Sequence, residues 1–109
     1  MTTWKKILIL LTMGAAVSAF AVDTATTWTE VCAKCHGADG KGDTKMGHKL
    51  SISDLTDPKV QAKFTDEEAF KSIKSGRTDD KGKTTMKPAE GVTDADITAL
   101  VAYVRALKK

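Results

Sequence analysis

The sequence predicts an all-α domain, and three observations carry that prediction. Thr65-x-x-Glu68 and Thr93-x-x-Asp96 each set a hydroxyl and an acid three residues apart at the head of an apolar run, which is how a capped helix opens. After Thr93, residues Ile97, Leu100, Val101, Val104 and Leu107 form one continuous apolar face at helical spacing. Apolar–polar alternation of the kind a strand shows appears nowhere, nor does an internal repeat.

The chain has 109 residues, enough for one small domain. Its first stretch reads as a targeting segment. Lys5 and Lys6 precede an apolar run from Ile7 to Val17, and Ala19-Phe20-Ala21 supplies the small residues that a signal peptidase reads. The expectation is a cleaved signal peptide over 1–21, with Val17-Ser18-Ala19 as a second possible site, and a domain over 22–109. An uncleaved anchor is the alternative, but the run is short against the roughly 20 residues of a membrane span. Export to the periplasm, with no stable membrane insertion after cleavage, is the expected outcome. Losing Lys5 and Lys6 leaves fifteen basic residues against fourteen acidic ones, a formal charge of +1. Acids and lysines alternate along the chain, so a nucleic-acid partner is not expected.

Element by element, the first helix is expected over Asp23 to Lys34. Asp23 favours the positive end of its dipole, and Trp28, Val31 and Cys32 share a face. Gly37 to Gly47, rich in glycine, aspartate and lysine, reads as a loop. The glycines lack a preceding strand and the Walker spacing, so a phosphate cradle is not indicated. Asp57-Pro58 starts a short helix carrying Val60 and Phe64. The Thr65 box opens a helix with Phe70 and Ile73, which Gly76 stops. Arg77 to Lys87 reads as a polar, mobile loop in which Met86 is the one apolar residue. The last helix follows Thr93 and ends at Lys108 and Lys109, which suit its negative end.

Both cysteines and one of the two histidines fall in a single pentapeptide, Cys32-Ala33-Lys34-Cys35-His36. Cys-x-x-Cys-His is the attachment signature of c-type haem. Two thiols at this spacing can add to the two vinyl groups on one porphyrin edge, and the adjoining imidazole then lies where it can bind iron. Three other readings stand beside it. A thioredoxin-like redox pair needs a βαβ setting that is absent here. Structural zinc needs four ligands at other spacings. A disulfide across two residues would close a small loop and stabilise little. The composition also suits a prosthetic group: a domain this small buries little surface, and only Trp28, Phe64, Phe70 and Tyr103 supply aromatic mass beyond the signal.

With the Cys32–His36 motif near the mature N-terminus, a lone methionine in a late loop and an amphipathic last helix, the chain resembles the class I cytochromes c. It is most similar to the small soluble bacterial monohaem type, from Trp28 through Leu107. Trp28 matches the aromatic position of the family's first helix, and Leu100 and Tyr103 match the pair that packs against it. The resemblance implies a cytochrome c fold, three to five helices wrapped around one covalently bound haem c, with the first and last helices crossing. It implies Cys32 and Cys35 as the thioether residues and His36 and Met86 as the axial iron ligands. Met46 and His48 are the alternatives for the sixth position; their plainer readings are packing at the haem edge and a solvent-exposed loop histidine. The family often has a proline in the loop after the haem motif. Met46-Gly47-His48-Lys49-Leu50 has none, so the acceptor for the His36 ring proton stays unassigned.

The function implied is one-electron transfer between redox protein partners, by a monomer with no enzymatic activity. A haem-based ligand or gas sensor, or an electron-transfer subunit of a larger oxidoreductase, is the alternative. Arg77 is a candidate partner for a haem propionate, against a solvated loop arginine. Lys34, Lys41, Lys45, Lys83 and Lys87 could steer an acidic partner, although Asp39, Asp43, Asp79 and Asp80 dilute their field.

Overall fold

In the computed structural model, residues 23–109 are described. The expected signal peptide and its cleavage sites therefore lie outside the described residues. Among the described residues no helix is long and apolar enough to cross a membrane.

One helical rod begins the fold. It comprises α1 (Thr24–Thr27), a π-helical turn (Trp28–Cys32) and α2 (Ala33–His36). Asp23 caps it by accepting from the Ala25 N–H at 3.2 Å. The rod runs two residues past the expected Lys34, so that Cys35 and His36 form its last turn. The π turn, closed by the Ala33 N–H on the Trp28 carbonyl, changes the phase of the helix. Trp28 and Cys32 stay buried, while Val31, expected on the same face, is turned outward and 43% exposed.

Gly37 to Gly47 is not a loop throughout. A helix, α3 (Lys45–Leu50), starts inside it, capped by the Thr44 hydroxyl on the Gly47 N–H. Helix α4 (Pro58–Gln61) begins at the expected Asp57-Pro58 cap, and α5 (Asp66–Ser75) opens on the Thr65/Glu68 box with both reciprocal bonds made. The last helix, α6 (Asp94–Ala106), opens on the Thr93/Asp96 box in the same way.

The second correction concerns Arg77 to Lys87. This segment forms an antiparallel hairpin, β1 (Arg77–Thr78) paired with β2 (Thr84–Met86). Asp79 organises its turn: the carboxylate accepts from the Lys81 and Lys83 N–H groups, each at 2.9 Å, and the Asp79 N–H donates to the Lys83 carbonyl. The expectation of a strand-free chain fails at these few residues, because a hairpin this short needs only local turn chemistry.

The core is the buried set Trp28, Cys32, Ile73, Ile97, Leu100, Val101 and Val104. Its residues come from the first rod, α5 and α6, so the two ends of the described chain meet in one cluster. Trp28 and Tyr103 make the expected crossing contact, with ring centroids 5.2 Å apart. Met86, Phe64, Phe70 and Leu107 pack around the cluster half-buried.

Candidate functional site

Cys32 and Cys35 are both free thiols, Cys32 buried and Cys35 half-buried. Burial pushes the Cys32 thiol up to about 11, and the neighbouring Cys35 acts in the same direction. A thiol held protonated in this way is a poor attacking thiolate, which disfavours the redox-pair reading, and among the described residues no group of three or more His, Cys, Asp or Glu side chains is placed to hold a metal ion. The unbridged pair does not support the disulfide reading either.

His36 follows at the end of α2. Burial lowers its proton affinity, keeping the imidazole neutral, the form that offers iron a lone pair. Its Nδ1 is buried and has no hydrogen-bond partner. The backbone around it is firmly tied. The Cys35 carbonyl accepts from the Thr44 hydroxyl at 2.7 Å, the His36 carbonyl from the Gly42 N–H at 2.7 Å, and the Gly37 carbonyl from the Gly40 N–H at 3.1 Å and the Trp28 indole N–H at 3.1 Å. Gly37 sits at φ +83°, a left-handed conformation that glycine adopts freely. Gly47 serves a different purpose. A Cβ there would run into the Gly42 carbonyl and stand 2.7 Å from the Cys35 carbonyl, so α3 lies directly on the motif.

Met86 is half-buried at the end of β2, opposite Arg77 and against the core cluster. Two features hold its stretch of chain. Gly76 packs beneath it, with the site of a Cβ only 2.5 Å from the Met86 carbonyl. Three residues on, the Ala89 N–H donates to the Ile73 carbonyl at 2.9 Å. Of the alternatives, Met46 is half-buried on α3. His48 is exposed and paired through Nε2 with the Asp43 carboxylate at 2.7 Å, on a helix and not in a loop. Arg77 and the lysines at 34, 41, 45, 83 and 87 are exposed.

Two thiols on one turn and a half-buried, neutral imidazole directly after them are the donor set of a covalent-haem protein. Residues 21–108 match the family model for cytochrome c. The chain belongs to the cytochrome c family. Among solved structures it is similar to the KustC0563 c-type cytochrome, at 31% identity and a TM-score of 0.70, over 81% of this chain and 100% of that one. A tyrosine-to-phenylalanine mutant of the same protein matches at 31% identity and a TM-score of 0.67, over 80% of this chain and 100% of the other. No curated protein matches. The protein is accordingly a haem-based electron carrier with covalently bound haem c and redox protein partners, in a family that is generally non-enzymatic.

Sequence reasoning missed the residues that support the motif from outside it. Thr44 and the indole N–H of Trp28 act at a separation of nine residues, and no local signal marks them.

Proposed function

We propose that the chain is an exported, periplasmic monohaem carrier in which Cys32 and Cys35 form the thioethers and His36 and Met86 supply the axial ligands. The observation that carries this reading is the Cys32–His36 turn, with both thiols unbridged and a neutral, half-buried imidazole directly after them. Bound haem c supplies a reversible one-electron couple at its iron. The residues of the chain define how that couple is used. His36 presents a neutral nitrogen from a turn in which the Cys35, His36 and Gly37 carbonyls are engaged. Met86 presents a soft thioether, which favours ferrous iron and raises the potential. Held by both residues, the group would offer no open position to a substrate, and little would need to move when its charge changes. Lys5-Lys6, the apolar run after them and Ala19-Phe20-Ala21 support export.

Absorption spectra of the matured protein beside Met86→Ala test the ligation. A far-red sulfur-to-iron band in the ferric wild type, lost in the variant, is expected. A band that persists in the variant transfers the role to Met46. With no band in the wild type, methionine ligation falls and weight passes to His48 or to an open site.

A further inference from the structure

The imidazole of His36 lacks the hydrogen bond by which an axial histidine is ordinarily oriented. Such ligands almost always donate their second ring nitrogen to a carbonyl, carboxylate or water, which fixes tautomer and ring plane. Here Nδ1 is buried and unpartnered, so something else must set the plane. The ring that packs against it is Trp28. Its ring centroid lies 5.7 Å from that of His36, the planes tilted by 34°. Its Nε1 donates to the carbonyl of Gly37, the residue directly after His36. The indole is itself immobilised: it is 2% exposed and packed on Tyr103 of the crossing helix.

We propose that Trp28 is the positioning residue for His36, holding the imidazole plane by ring contact and fixing the His36–Gly37 turn through its indole N–H. This rests on the reading of His36 as an axial ligand. A packing residue needs only an apolar ring of the right size. Trp28 uses the one donor on its ring, and uses it on the backbone of the motif. The first rod, through Trp28 and α6, therefore sets the ligand geometry as well as the core.

The test uses the haem-loaded protein, with Trp28→Phe compared against Val104→Ala, a truncation in the same buried cluster. A benzothienyl analogue of tryptophan at position 28 keeps the bicyclic shape without the N–H and stands in if Trp28→Phe fails to mature. Three readouts report on the ligand and its turn: ferric low-spin electron paramagnetic resonance, the paramagnetically shifted ring protons of His36, and amide exchange at Gly40 and Gly42. Changes at position 28 are expected to move the g-values and the His36 resonances. They should also speed exchange at Gly40 and Gly42 by about fivefold beyond the global loss of stability, the weight of one neutral hydrogen bond. Val104→Ala should lower stability and leave these signals in place. Identical ligand signals in the position-28 variants and the wild type would overturn the proposal and reduce Trp28 to packing. Unshifted His36 ring protons in the wild type would overturn the axial assignment as well, which separates the two failures.

Discussion

Asp54 shows how much one half-buried side chain can organise. A single oxygen of its carboxylate accepts from both the Thr56 N–H at 2.8 Å and the Thr56 hydroxyl at 2.6 Å. The Thr56 carbonyl in turn accepts from the N–H of Lys109, the last residue. The Thr56 hydroxyl, then its N–H, with Lys41 and Lys109 nearby, holds the Asp54 carboxyl below its ordinary value of 3.8. The unfolded chain therefore takes up this proton first as pH falls. The carboxylate's stabilisation is complete above 3.8 and is lost as pH drops through the lower folded value. Asp54→Ala should accordingly unfold at lower denaturant than wild type at neutral pH. The gap should close in acid, where wild type has lost the same interaction. Denaturant midpoints of the haem-loaded protein at the two pH values check this, and a gap independent of pH would assign the loss to turn shape instead of charge.

At the scale of elements, what could be read from the chain was what is bonded locally. The boxes at Thr65 and Thr93 join residues three apart, so their side chains announce the helices that follow. Helix α3 stayed hidden because Gly47 has the look of flexibility, whereas its real reason is the close approach of α3 to the Cys35 carbonyl. The hairpin stayed hidden because strands of two and three residues are too short to show alternation. Yet the hairpin is what gives Met86 a fixed backbone. Gly76, at φ +76°, is the joint between α5 and β1, and a Cβ there would stand 2.5 Å from the Met86 carbonyl and 2.9 Å from Pro88 Cδ. Gly76→Ala should cost about 1–3 kcal/mol through backbone strain. It should also weaken the far-red band, by displacing the segment that carries Met86. Thermal unfolding and the ferric spectrum, measured together, check both halves. A destabilised variant with an unaltered band would show that Gly76 does not govern the ligand.

For the whole molecule, the meeting of the first rod with α6 was legible in Trp28, Leu100 and Tyr103, since it follows from apolar faces at helical spacing. The second tie across the fold was not, because it joins polar groups 39 to 44 residues apart. Gln61 is 5% exposed, and its amide donates to the Leu55 carbonyl at 2.6 Å and the Val104 carbonyl at 2.8 Å. Arg105 donates to the Gln61 side-chain oxygen at 2.9 Å, the Gln61 carbonyl at 2.6 Å, the Phe64 carbonyl at 2.7 Å and the Asp66 carboxylate at 2.7 Å. Its guanidinium also lies 4.4 Å over the Phe64 ring. One fork thus joins α6 to α4, to the α4–α5 link and to the start of α5. Lysine has a single ammonium and cannot serve these acceptors together. Arg105→Lys should therefore cost about 1–3 kcal/mol, the penalty of stranding a part-buried acceptor. The far-red band should survive, since no bond of this cluster reaches Cys32–His36 or Met86. Gln61→Leu strands the Leu55 carbonyl, leaves the Val104 carbonyl with only the Leu107 N–H, and should cost a similar amount. If the two side chains work as one clamp, the double variant loses less than the sum of the singles, by roughly 0.5 kcal/mol or more. Denaturant unfolding of all four proteins measures that difference. Strict additivity would mean that α4 and the head of α5 are fastened to α6 independently, with no shared clamp between them.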